Sequence, residues 1–194
     1  MAAGSVVQDP AKLLPRPYVL EYSQRVDLDR DGDLDIAIVG VDGPVPAPQD
    51  VTEEFVEGNR ILVIARKESA GWRLIGQSKT AVICRTCGGA FWGVVGAPIE
   101  LSASRNTLVI NQSAGSREVT DWTHRYRIEK GGVRLIGLDR SVLDRATGGF
   151  VKESTNYLTG AKIVTVEGDV ENPPKAGTTR GKPRTIYVDR VTVA

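Results

Sequence analysis

One histidine, two cysteines and no long apolar run set the first limits on this chain of 194 residues. His124, Cys84 and Cys87 cannot close a four-ligand zinc site of the Cys/His type within one chain. Catalysis by a serine–histidine or cysteine–histidine pair would have to recruit His124, and no GxSxG nucleophile motif is present. No stretch of 18 apolar residues exists, which excludes a transmembrane helix. The formal net charge of +1 gives no global basis for attraction to nucleic acid or to a membrane surface. The opening MAAGSVVQDPAKLLPRP has neither a basic n-region nor an apolar h-region, so it does not read as a signal peptide, which leaves the compartment open.

What the chain does have is the composition of an ordinary globular protein, 41% apolar and 25% charged. Its apolar runs are short, β-branched and bounded by Gly, Pro, Asn or Asp, as strands are. Strands are expected at about 17–23, 34–41, 60–67, 71–77, 79–84, 98–103, 106–112, 120–129, 132–139, 150–155, 161–167 and 184–193. The one helix signal is near Asp50–Val56, where Thr52 begins a capping-box pattern. The expected fold is all-β and antiparallel, a small propeller-like array of hairpins, with a β-sandwich as the alternative. Residues 1–16 read as an N-terminal extension and 17–194 as a single all-β domain. Loops fall at 43–59 and 166–183, and the terminal strand after the second would close a sheet. ESAGWRLIG (68–76) and EKGGVRLIG (129–137) form an internal repeat, each a Gly-containing turn followed by a strand.

The stretch VDLDRDGDLDIAIVG (26–40) carries the strongest chemical signal. Asp27, Asp29, Asp31, Asp33 and Asp35 occupy positions 1, 3, 5, 7 and 9 of a loop with Gly32 at position 6. Like charges about 4 Å apart repel by about 1 kcal/mol per pair even in bulk water, so an uncompensated acidic turn beside a buried strand is costly. Calcium accepts six to eight oxygens, and alternate side chains on a curled loop converge on one point. The expectation is a Ca2+ cage, with Asp33 giving its backbone carbonyl. Position 12 is Ile38, which excludes the usual EF-hand. The following LDIAIVGV, apolar on both faces, is expected to be a central strand.

In AVICRTCGGAFWG (81–93), Cys84 and Cys87 read as a disulfide pinning a small turn, with free structural thiols as the alternative. A thioredoxin-like motif would need a helix in a βαβ setting, and the neighbours here are strands and glycines. In the alternating 114–127 stretch and the residues just beyond it, Trp122, His124, Tyr126 and Ile128 share one face, so His124 reads as a core residue.

The loop, which runs straight into an apolar strand, resembles the calcium loops of FG-GAP repeats more closely than those of dockerins. The order of the Asp loop, GWRLIGQS, CRTCGGAFWG, GSREVTDWTHRYRI, GVRLIGLDR and ESTNYLTG resembles a group of small bacterial exported proteins or lipoproteins over about residues 20–165. More distantly, the calcium loop in an all-β frame resembles propeller-like periplasmic immunity proteins of bacterium-killing type IV secretion systems, which inhibit lysozyme-like effectors. These resemblances imply a periplasmic or secreted protein, or a lipoprotein, that binds Ca2+ and a protein partner such as a lysozyme-like effector. No inhibitory residue carries over by motif; Tyr157, in STNYLTG, is the candidate exposed contact. A non-catalytic binding protein is therefore expected. The alternatives are a hydrolase using paired carboxylates and a purely structural envelope domain.

Overall fold

The computed structural model describes residues 6–43, 58–90, 92, 96–167 and 175–193, which form strands and short 3-10 turns with no α-helix among them. One antiparallel sheet has the order β1-β5-β4-β3-β2, built from β1 (Val6–Val7), β2 (Val19–Val26), β3 (Asp35–Val41), β4 (Arg60–Glu68) and β5 (Gly71–Ser78). The second has the order β12-β11-β10-β9-β8-β7-β6. Its strands are β6 (Ile99–Ala103), β7 (Leu108–Gly115), β8 (Glu118–Glu129), β9 (Gly132–Asp144), β10 (Phe150–Asn156), β11 (Ala161–Val166) and β12 (Lys175–Arg180), and β13 (Ile186–Tyr187) pairs with β9. Neither sheet closes on itself among the described residues. The arrangement is sandwich-like, two antiparallel sheets facing each other across one core.

The main core draws Ala37, Val39, Leu62 and Ile64 from the first sheet and Leu108, Ile110, Tyr126 and Leu135 from the second. A smaller cluster of Ile36, Ile38, Ile61, Val63, Ala65 and Trp72 lies on the other face of the first sheet, covered by Leu13 and Leu14 of the N-terminal segment. Strand β3 is thus buried on both faces along its whole length, which is why its sequence shows no alternation.

The two repeat copies are the hairpins β4–β5 and β8–β9, and they correspond pair for pair. Ala65 faces Leu74 as Tyr126 faces Leu135; Arg66 faces Arg73 as Arg127 faces Arg134; Glu68 faces Gly71 as Glu129 faces Gly132. Each copy has a bulge at the same place, between Ile64 and Ala65 and between Arg125 and Tyr126. In each, two arginines grip the glutamate: Arg66 and Arg73 on Glu68, Arg127 and Arg134 on Glu129. The matching faces point the same way. Ala65, Trp72 and Leu74 enter the smaller cluster, whereas their counterparts Tyr126, Val133 and Leu135 enter the main core. The sheets therefore stack front to back. The stack ends there, because the counterparts of the buried Leu62 and Ile64 are Thr123 and Arg125, a polar outer face.

Several expected elements differ. Residues 79–84 are buried at Ala81 and Val82 but form no strand, because side chains replace the ladder. Ser78 Oγ accepts the Thr80 and Ala81 N–H groups, and buried Gln112 accepts from Ile83 N–H at 2.7 Å while donating to Ala81 O at 3.0 Å. The terminal stretch 184–193 pairs only over Ile186–Tyr187, then turns through a 3-10 segment that sinks Val188 and Val191 into the core. Within the expected loop 166–183, residues Lys175–Arg180 add β12 to the sheet edge, fully exposed. The stretch read as an N-terminal extension is tied to the first sheet. Val6 and Val7 pair with β5, and Asp9 caps a 3-10 turn begun by Pro10, placing Leu13 in the smaller cluster. The helix expected near Asp50–Val56 lies outside the described residues.

Candidate metal centre

The loop between β2 and β3 is drawn tight by its own aspartates. Asp27 Oδ1 accepts the Arg30 N–H at 2.7 Å and Oδ2 the Gly32 N–H at 3.3 Å, while Asp29 and Asp31 accept from Asp31 N–H and Asp33 N–H. Such Asx turns curl the chain without a regular ladder. Arg30 and Gly32 take left-handed conformations, with φ of 69° and 94°. The glycine was legible as a turn position; the arginine was not, since only its neighbours' hydrogen bonds hold it there.

The loop is anchored from beneath. Leu28, between two aspartates, is buried in the main core, and its carbonyl accepts the Ile128 N–H of β8 at 3.2 Å. Asn106, in the turn between β6 and β7, donates to the Asp27 carbonyl at 3.0 Å.

Asp27, Asp29 and Asp35 each present an oxygen to one point, these atoms lying within 4.8 Å of one another. Ligand oxygens at 2.3–2.6 Å from a calcium ion lie within about 5 Å of each other, so this donor set fits a hard cation. Asp35 is fully buried, and its Oδ2 and Oδ1 accept the N–H groups of Leu28 and Lys67, each at 3.0 Å. A carboxylate has about four acceptor sites, so two remain for an ion. Burial raises the Asp35 carboxyl to about 6, against the two hydrogen bonds, with Asp29 and Asp31 adding repulsion. Asp29 is raised too, first by burial and then by Asp31. A charge held in place against its own desolvation is what a bound cation would relieve. The carboxylates of Asp31 and Asp33 are exposed and are not among these converging side-chain oxygens; Asp33 is expected to bind through its backbone carbonyl, which that group does not include.

Arg66 reaches Asp29 at 3.9 Å, a partner the sequence did not suggest. Arg73 and Arg66, in that order, hydrogen-bond Glu68 and lower its carboxyl to about 2.

Elsewhere, Cys84 and Cys87 form a disulfide. His124 is buried beside Tyr126, the rings stacked at 6.1 Å, and burial lowers it to about 4. Tyr157, expected as an exposed contact, is half-buried with its side chain against the main core. The sequence also gave no sign of the buried trio Glu21, Arg60 and Arg85. Arg60 grips Glu21 through two hydrogen bonds, at 2.7 and 2.8 Å, and Arg85 adds a third at 3.1 Å. An open depression of about 300 Å³ beside β6–β8 holds Glu100 and Asp121, which bond to Asn111 and Ser141.

No protein-family model, curated protein or solved structure matches this chain.

Proposed function

We propose that the chain is a non-catalytic, extracytoplasmic protein that holds one Ca2+ in the 27–35 loop and binds another protein. The observation that carries the proposal is the convergence of Asp27, Asp29 and Asp35 around a carboxylate buried at the root of β3. The ion would tie β2, β3 and, through Lys67, the end of β4 into one frame. Calcium sites of extracellular modules commonly bind at about 10⁻⁴–10⁻³ M, which suits a calcium-rich compartment. The disulfide supports the same placement, since such bonds persist where the surroundings are oxidising.

A non-catalytic role is favoured because Asp29 and Asp35, whose carboxyls burial raises, lie in the loop and already accept backbone N–H groups there. A general acid would instead need a raised carboxyl facing a cleft. The two front-to-back hairpin units, with a calcium loop entering the first, support a propeller-like ancestry of the FG-GAP kind. The sharper reading is an immunity protein or inhibitor of a lysozyme-like peptidoglycan hydrolase. The test is clearing of a peptidoglycan suspension by lysozyme-like hydrolases, with the calcium-loaded protein added in excess. Loss of clearing supports the inhibitor role; undiminished clearing across the panel sinks it and leaves the calcium site to be judged separately.

A further inference from the structure

The disulfide does little for global stability: it closes a loop of only four residues, so it removes little entropy from the unfolded chain. Its local position is more telling. Cys84 caps the 3-10 turn Arg85–Gly88, with Cys84 half-buried, Thr86 and Cys87 exposed, and Arg85 buried between them. The turn thus directs a guanidinium inward and a sulfur outward.

Arg85 is the node of that region. Its Nε donates to Glu21 of β2 at 3.1 Å, its backbone N–H donates to Gly58 O at 2.9 Å, and its carbonyl accepts Ala97 N–H at 2.7 Å. Arg60, which shares Glu21, also donates to the Ala97 and Ile83 carbonyls. One turn therefore joins edge strand β2, the start of β4 and the entry to β6. These contacts all hang on the turn that the Cys84–Cys87 bond closes.

We infer that Cys84–Cys87 is a reducible latch, a site for thiol–disulfide exchange with a dithiol, whose opening releases Arg85 from Glu21. A thiolate of the dithiol attacks Sγ of exposed Cys87, the S–S bond breaks, and Cys84 leaves as a thiolate that takes up a proton. The second thiol of the reductant then attacks the mixed disulfide and expels Cys87. Two electrons and two protons pass to the protein, and the reductant departs as its own disulfide. With the link gone, the turn is held by the Cys87 N–H to Cys84 O bond at 3.2 Å and the contacts of Arg85. A second disulfide compound, reduced in its turn by the reverse exchange, takes the two electrons and two protons back and resets the latch.

The Arg85–Thr86 peptide bond reports the state directly, because trypsin cleaves after arginine only when the chain can open locally. The full-length folded protein is incubated with trypsin, with and without dithiothreitol, and peptides are reduced and alkylated after quenching. Dithiothreitol is expected to yield two free thiols in native buffer and to speed cleavage after Arg85 by about tenfold or more, with the far-ultraviolet circular dichroism and the rate at exposed Arg190 unchanged. The Cys84→Ser/Cys87→Ser variant is expected to cleave there without reductant. Resistance of the disulfide until denaturant is added would overturn the inference. So would equal cleavage at Arg85 in both redox states, or a uniform rise at every site.

Discussion

Asp35 Oδ1 accepts the backbone N–H of Lys67 at 3.0 Å, joining the root of β3 to the end of β4 through a carboxylate that no solvent reaches. Its other oxygen takes Leu28. Asp35 is therefore a structural acceptor as well as a proposed cation ligand, and substitutions can separate the roles. Asp35→Ala strands two N–H groups and is expected to cost about 3 kcal/mol. Asp35→Asn, keeping one acceptor oxygen, is expected to cost less, yet to lose all response to calcium. Urea unfolding with and without 10 mM calcium (about ten times the weaker end of such sites) checks both.

The Glu21 trio gives a second ordering. Glu21→Gln leaves two buried guanidinium groups facing a neutral amide and is expected to destabilise by about 3–5 kcal/mol. Arg85→Met is expected to cost less, because Arg60 still holds both Glu21 oxygens. Denaturant midpoints of the two variants against wild type decide it; an inverted order would contradict the assigned geometry.

His124 makes stability depend on pH. Burial lowers its folded-state value to about 4, below the unfolded 6.5. Between these values the unfolded chain binds a proton that the folded chain refuses, so the contribution is complete above 6.5 and is lost as pH falls toward 4. The gap converts to about 3 kcal/mol. Asp35, raised to about 6, titrates in the opposite sense in calcium-free protein, so the quantity to measure is the difference between wild type and His124→Phe. That difference is expected to move against wild type as pH drops from 7 to 4. A difference independent of pH would place His124 in contact with solvent or a hidden partner.

Much of the frame was legible because strand formation here follows side-chain pattern: β3, β4 and β8 fall where β-branched runs or clean alternation predict them. The misses share one cause, the replacement of pattern by long-range contact. Residues 79–84 look like a strand, but Gln112, far along the chain, supplies the hydrogen bonds that a neighbouring strand would give. KAGTTR carries no strand signal and becomes β12 only because β11 offers an open edge. The Asp loop is legible from its spacing and Gly32, while the burial of Leu28 between Asp27 and Asp29, which anchors the loop to the core, leaves no local motif. The Glu21–Arg60–Arg85 trio joins three distant segments and leaves no local motif.

The central claim is a calcium ion among Asp27, Asp29 and Asp35, and thermal melting in chelator against added calcium tests it most directly. Calcium at about 100 times the dissociation constant would stabilise the fold by about 2.7 kcal/mol. In a chain of this size that raises Tm by about 5–10 °C. Magnesium is expected to do less, since it demands near-ideal octahedral geometry and gives up its water shell reluctantly. Asp29→Ala, which removes an acceptor for the Asp31 N–H inside the loop and a 3.9 Å contact with Arg66, is expected to fold and to melt identically with and without the ion. Wild-type melting curves that coincide in chelator and in calcium would contradict the account.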